Sequence, residues 1–184
     1  MKTDSVVNAA FEVQIDEWKN RRSVKAMLKS LSPARTCVAL EACLNPENLS
    51  FVSDLYATRD EELVKELAEI AREEHIAIGV RMTLSPEADI ASEPRWGRVM
   101  ETFGEDPDLV TSMVTTQVVA FQNGSDGLNA GAIVACMKHF PGAGPQMDGK
   151  DTSPIISSEE TLQIHLKPYY AGLEVGVASI MPYY

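Results

Sequence analysis

The sequence has only three cysteines and no long apolar run. Cys37, Cys43 and Cys136 cannot all pair within one chain, and no CxxC spacing suggests zinc. We therefore expect reduced thiols in a reducing compartment, which favours the cytoplasm. No segment approaches the roughly 18 apolar residues of a membrane-spanning helix, and the N-terminal residues contain no apolar run of signal-peptide length. These absences predict a protein without membrane partners or metal ligands.

Basic residues are also scarce, since 16 of them stand against 27 acidic ones and leave a net charge of −11. Such a surface repels phosphate backbones and anionic lipids, so we expect no nucleic-acid or membrane-surface partner, whereas a neutral sugar is unaffected. The sequence contains no GxGxxG, P-loop, HExxH or GxSxG pattern. This disfavours dinucleotide-binding proteins, nucleotide triphosphatases, zinc proteases and serine hydrolases.

Helical patterns recur along the 184 residues, which fit one ordinary globular domain. A ragged apolar spacing suggests a helix over residues 6–30, and Thr58–Glu61 is a capping-box pattern that opens a second helix to about residue 74. Asp106-Pro107 opens a third helix, which Asn123-Gly124 ends. A fourth begins near Ser157 and runs to Gly176, with a kink or a restart expected at Pro168.

Short apolar runs of strand length alternate with these helices, at residues 36–40, 76–84, 132–137 and 177–181. Most are apolar on both faces, which is typical of a parallel sheet covered on both sides. The alternation predicts βαβ units and an α/β fold. Polar, glycine- and proline-rich segments follow the carboxyl ends of the runs, where α/β folds collect their binding groups.

The segment Glu93–Arg98, with the sequence EPRWGR, combines two arginines, an indole and a glycine. Guanidinium groups donate several hydrogen bonds in fixed directions, and the indole offers a flat apolar face, so the segment could bind a polyhydroxylated ligand. The alternative interpretation is a surface loop in which the arginines pair with neighbouring acids, namely Glu87, Asp89, Glu93 or Glu101.

Lys138 and His139 directly follow an apolar run and precede a Pro-Gly turn. Adjacent strand residues point to opposite faces, so both can face one ligand only if the strand ends there. The alternative is a buried histidine beside a lysine whose stem covers apolar surface. For Asp148 and Asp151, a solvated turn is a commoner explanation than a general acid and base. We assign no role to the two remaining histidines, His75 and His165.

Two long segments resemble, in order, the hallmark segments of glycoside hydrolase family 3, the β-glucosidase and β-xylosidase family. They are Leu84–Pro107 (LSPEADIASEPRWGRVMETFGEDP) and Met137–Pro145 (MKHFPGAGP), and Val177–Tyr183 resembles the next strand of that family. The similarity runs from about residue 34 to residue 184. It implies an N-terminal (β/α)8 barrel of the TIM type that binds the nonreducing sugar at its strand ends. It also implies a retaining mechanism with two carboxylates and no cofactor or metal.

The resemblance assigns substrate-binding roles to Arg98, Lys138 and His139, which would hydrogen-bond the sugar hydroxyls. Glu41 stands where the family has a sugar-binding aspartate, in a compressed segment without the usual His-Gly, and is the fourth candidate.

The family's catalytic carboxylates have no counterpart in the sequence. Its nucleophile lies in a Ser-Asp-Trp-like motif on a strand after the one that ends near Tyr184, and its acid/base comes from a further domain. The loop Asp148–Asp151 lacks the Asp-Ser-His of the N-acetylglucosaminidase branch. We therefore predict no catalytic residue in this chain.

The expected organisation is an N-terminal helical segment at 1–33 and an incomplete barrel of parallel strands at 34–184. A closed barrel needs eight strands, so an open one would expose sheet edges that invite pairing with a second copy. The parent function implied is hydrolysis of terminal β-linked glucose or xylose, with this chain inactive alone. The alternatives are a noncatalytic carbohydrate-binding module and a fragment that folds only with an obligate partner.

Overall fold

The computed structural model describes residues 10–18, 21–30, 57–154 and 158–183. The chain divides into two compact units, Met1–Val38 and Ala39–Tyr184, five residues later than the expected boundary. Glu41 and the strand expected at 36–40 lie outside the described residues. No helix of the described ranges is both long and apolar enough to cross a membrane.

The first unit contains two antiparallel strands, β1 (Ala10–Trp18) and β2 (Arg21–Ser30). The helix expected over residues 6–30, and with it the helical character of segment 1–33, is therefore wrong. In the sequence, apolar and polar residues alternate at every position of Phe11–Asp16. That period of two is the signature of a strand, and it outweighs the ragged helical spacing.

The second unit contains three helices and two parallel strands. In chain order they are α1 (Glu61–Ala77), α2 (Pro107–Gln122), β3 (Cys136–Phe140), α3 (Glu159–Glu174) and β4 (Ser179–Pro182). A further extended segment lies beside β3 through parallel bridges that join Met82 to Val134 and Glu87 to Lys138. Each helix thus precedes one of three parallel segments, which confirms the predicted α/β alternation in this part of the chain.

The helix ends follow local capping chemistry. Asp60 caps α1 by accepting a hydrogen bond from the Leu63 N–H at 3.2 Å, so the cap lies two residues beyond Thr58. Asp106 caps α2 and a left-handed Asn123 ends it, both as predicted. Ser158 caps α3, which runs through Pro168 as one helix, so the expected restart does not occur.

The strand limits differ from the apolar runs that predicted them. Residues 76 and 77 still belong to α1, β3 begins at Cys136 rather than at residue 132, and β4 begins at Ser179. Hydrogen bonding to a neighbouring segment sets these limits, whereas the apolar runs mark only where the chain is buried. Cis peptide bonds precede Pro86, His139 and Pro141.

The core lies between the three helices and the parallel segments. Its fully buried members come from the three helices, from β3 and from the residue before β3, and include Val64, Ala68, Val110, Met113, Val114, Val118, Ala135, Met137 and Tyr169. Helix α2 packs against both α1 and α3, and α3 also contacts β3. This packing holds the carboxyl ends of the segment 82–87 and of β3 side by side.

Candidate functional site

The site is formed where the carboxyl ends of two parallel segments meet. The Ala88 N–H donates to the Lys138 carbonyl at 2.7 Å, and the Lys138 N–H donates to the Pro86 carbonyl at 3.2 Å. These hydrogen bonds place Glu87 next to Lys138 and His139. The predicted position of the binding groups, at the carboxyl ends of the strands, is where the structure brings these charged side chains together.

Glu87 is the common partner of three of the residues that the sequence singled out. Its Oε2 lies 3.2 Å from Arg98 Nη2 and 3.6 Å from Lys138 Nζ, and its Oε1 lies 3.5 Å from His139 Nδ1. Arg98 Nη1 is 3.3 Å from His139 Nε2. The structure therefore brings Arg98, Lys138 and His139 together, and both members of the Lys138–His139 pair reach one carboxylate.

Asp89 fixes the loop that follows β3. Its carboxylate is fully buried and accepts hydrogen bonds from the backbone N–H groups of His139 and Ala143 and from His139 Nδ1 at 2.9 Å. Burial alone would raise the pKa of Asp89, but the hydrogen bonds from His139, Glu87 and Ala143 outweigh it and lower this pKa below its ordinary value. Asp89 is therefore an ionised anchor at neutral pH.

Glu87 titrates near neutrality. Burial is the main cause, and together with the nearby charge of Asp89 it raises the pKa of Glu87 to about 7, against the opposing effects of His139 and Arg98. Burial disfavours protonated His139, but its contacts with Asp89 and Glu87 prevail and raise the pKa of His139 to about 9. The site therefore gains negative charge as the pH rises through 7.

Arg98 also pairs with a second acid. Its Nε and Nη2 donate to the two carboxylate oxygens of Glu101, at 3.0 and 2.8 Å, and this pairing raises the pKa of Arg98. Arg95 forms an equivalent pair with Glu93. Both arginines thus neutralise nearby acids, as the alternative interpretation predicts. Arg98 in addition contacts His139.

Trp96 differs from its expected role. Its side chain is 2% exposed, so its ring face is not open to a sugar. Its Nε1–H donates to Asp151 Oδ1 at 3.0 Å, and Arg98 Cζ lies 5.9 Å from its ring centroid. The buried indole therefore makes a cation–π contact with the Arg98 guanidinium. Its hydrogen bond to Asp151 fixes the position of the ring. Asp148 is exposed and lies 3.9 Å from Arg95, as a solvated turn predicts.

The sequence interpretation missed the central role of Glu87 and Asp89, which it considered only as partners for arginines. The signal was present in their position, because both directly follow the apolar run 76–84 at its carboxyl end. It also missed the place of His165, which packs beneath the loop after β3. A Cβ on Gly142 or Gly144 would lie 2.8 or 3.1 Å from its side chain. The Nδ1 of His75 lies 2.7 Å from the Ala71 carbonyl oxygen of the same helix.

One group of side chains in the described ranges has the composition of a metal site. Ligand atoms of Glu87, Asp89 and His139 all lie within 4.8 Å of one another. The cationic groups of Arg98 and Lys138, however, already contact the Glu87 carboxylate. A divalent ion there would face two fixed positive charges, so the donor set favours ion pairing within the protein over metal binding.

Comparison with known proteins decides the family. Residues 17–184 match the model described as the glycosyl hydrolase family 3 N terminal domain. The chain belongs to glycoside hydrolase family 3. The resemblance of the two hallmark segments to this family is thereby confirmed, and the α/β architecture with parallel strands agrees with it.

Among family 3 relatives, the periplasmic beta-glucosidase/beta-xylosidase of Dickeya chrysanthemi is 43% identical over 144 residues, which are 76% of this chain and 21% of that protein. Beta-glucosidase C of Emericella nidulans is 39% identical over 144 residues, 76% of this chain and 22% of that protein. The chain thus spans about a fifth of the length of these curated relatives.

Solved structures of the family agree. The beta-glucosidase from Listeria innocua in complex with glucose has a TM-score of 0.66 and 34% identity, and it covers 71% of this chain and 18% of its own. The exo-1,3/1,4-beta-glucanase from a Pseudoalteromonas species has a TM-score of 0.66 and 32% identity, covering 70% of this chain and 16% of its own.

Proposed function

We propose that this chain carries the sugar-binding part of a family 3 glycoside hydrolase that releases terminal β-linked glucose or xylose from glycosides by a retaining mechanism. One observation carries the proposal: Arg98, Lys138 and His139 meet at the carboxyl ends of adjacent parallel segments. The names of the relatives, which are beta-glucosidases and beta-xylosidases, support the choice of sugar.

The chemistry of the three side chains suits a polyhydroxylated, uncharged ligand. The guanidinium group, the ammonium group and the protonated imidazole all donate hydrogen bonds to hydroxyl oxygens. The side chains of Arg98 and Lys138 remain 27% and 18% exposed, whereas that of Glu87 beside them is only 5% exposed. A sugar would therefore meet the donors before it meets the carboxylate.

The carboxylates at this site do not fit the two catalytic roles of a retaining glycosidase. Glu87, Asp89 and Glu101 each hold a cationic or imidazole side chain of the site. We assign no catalytic residue among the described residues and expect the 184-residue chain alone to be inactive. These engaged carboxylates also favour the second candidate function, a noncatalytic carbohydrate-binding module.

We further propose that the second unit is part of a (β/α)8 barrel, which the three parallel segments, each preceded by a helix, support. Glu41 stays a predicted sugar ligand. Free sheet edges for pairing with a second copy also stay a prediction. Cytoplasmic location stays a prediction: Cys136 is a free, buried thiol, and the Dickeya relative is named as periplasmic.

Isothermal titration of the chain with glucose and with xylose tests sugar binding. We expect measurable heat for the chain and for Lys150→Ala, whose exposed lysine lies in the neighbouring loop, and loss of that heat for Lys138→Ala. Absence of binding by the folded wild-type chain would refute the proposal. Hydrolysis of an aryl β-glucoside, abolished by Lys138→Ala, would instead contradict the expected inactivity and the binding-module alternative.

A further inference from the structure

Glu87 is the single carboxylate among the described residues that contacts all three predicted sugar-binding residues Arg98, Lys138 and His139. Arg98 has a second acid, Glu101, and His139 has Asp89. For Lys138, Glu87 is the one ion-pair partner in the part of the chain that the structure describes. Glu87 therefore determines how much positive charge the exposed side of the site presents.

We propose that Glu87 makes this site selective for neutral sugars over sugars that carry a carboxylate. The inference rests on the proposed function, because it concerns the same site. Glu87 is a specificity-determining residue that sits behind the hydrogen-bond donors, and no catalytic role is assigned to it.

The hydrogen-bond donors of this site would also suit an anionic ligand. A guanidinium and an ammonium group at one place are the groups that proteins use to bind carboxylates. In this structure a single oxygen, Glu87 Oε2, lies within 3.2 Å of Arg98 Nη2 and 3.6 Å of Lys138 Nζ. The carboxylate of a uronic acid would have to displace this oxygen or lie beside its charge. A sugar hydroxyl carries no charge and meets no such repulsion.

The low exposure of Glu87 strengthens this repulsion. Its side chain is 5% exposed, so water and salt screen it less than they screen a surface acid. The other acids of the site do not substitute for it, because Glu101 is engaged by Nε and Nη2 of Arg98 and Asp89 is held by His139 and Ala143. Replacing Glu87 by glutamine keeps the shape of the side chain and, at a pH where Glu87 is ionised, removes one negative charge from the site.

The test compares the dissociation constants of glucose and glucuronate by titration calorimetry at pH 8, where Glu87 is ionised. We expect Glu87→Gln to lower the ratio of the glucuronate constant to the glucose constant by about tenfold or more. The matched control is Glu93→Gln. It removes the charge of an acid that pairs with Arg95 in the segment Glu93–Arg98, and it should leave the ratio unchanged.

A second measurement needs no variant. Between pH 8 and pH 6 Glu87 gains a proton in the wild-type chain, whereas Asp89 and the sugar carboxylate stay ionised and Arg98 and His139 stay protonated. The glucuronate-to-glucose ratio should fall over this range, so the proposal remains testable if Glu87→Gln does not fold.

The outcomes separate the two proposals. Glucose binding with a ratio that neither the substitution nor the pH changes would overturn the role of Glu87 and leave the proposed function standing. A folded wild-type chain that binds neither sugar would overturn both.

Discussion

Replacing Gly144 by alanine should disrupt the loop that carries the candidate sugar ligands. A Cβ at this position would lie 1.7 Å from the carbonyl oxygen of Ile90, half the distance at which ordinary contact begins, and 3.1 Å from His165 Cε1. The obstacle is backbone, which cannot rotate away as a side chain can. Either the loop after β3 or the segment around Ile90 has to move.

The loss of stability depends on which hydrogen bonds this movement breaks. Ile90 is adjacent to Asp89, whose buried carboxylate accepts hydrogen bonds from the backbone of His139 and Ala143. A hydrogen bond to a charged group contributes about 1.5–3 kcal/mol, and overpacking of a filled site costs about 1–3 kcal/mol. We therefore expect Gly144→Ala to lower the free energy of unfolding by about 3–5 kcal/mol.

Urea unfolding followed by circular dichroism measures this difference. The control is Gly97→Ala in the other motif, where a Cβ would meet nothing within 4 Å and no positive φ is required. That substitution should leave the free energy of unfolding unchanged or raise it by up to about 1 kcal/mol, because alanine lowers the conformational entropy of the unfolded chain. If the unfolding free energies of the two variants differ by less than about 1 kcal/mol, the predicted clash with the Ile90 carbonyl is refuted.

Two further predictions concern the buried charges. Asp89→Asn should cost about 3–5 kcal/mol in urea unfolding, because it leaves the partners of a buried charge unmatched, whereas the exposed Asp148→Asn should change little; equal effects would contradict the anchoring role. NMR titration should place the pKa of His139 near 9 and that of His165, which burial lowers, below its ordinary value. Because the pKa of His139 is raised by folding, its stabilisation is complete below about pH 6.5 and is lost as the pH rises through 9, by up to about 3 kcal/mol. An unshifted His139 would contradict this.

The parts of the fold that the sequence predicts well depend on local chemistry. Both ends of α2 could be placed because Asp106, Pro107 and Asn123 act on their own helix. The strand limits could not, because they depend on which neighbour each residue meets across the sheet. The helix predicted over residues 6–30 is wrong for another reason, because the alternation in Phe11–Asp16 is a local signal that indicates a strand.

In the candidate site, too, local motifs are predictable from the sequence, whereas contacts between distant residues are not. The two motifs predicted one shared site for Arg98, in a loop, and for Lys138 and His139, at the end of a strand, and the structure brings the three side chains together. The burial of Trp96 could not be predicted, because it depends on a hydrogen bond to Asp151, which lies 55 residues further along the chain. The position of Glu87 depends likewise on its pairing with β3.

In the sequence alone, the pairing of Arg98 with acids is an alternative to sugar binding, but in this structure the two are compatible. Glu101 takes the Nε and Nη2 donors of Arg98 and thereby fixes the plane of the guanidinium, while Nη1 points to His139. A side chain that is already ordered loses less conformational entropy when it binds a ligand. The acids therefore reduce the cost of presenting Arg98 to a sugar hydroxyl, and an arginine paired with acids is by itself no evidence against a binding role.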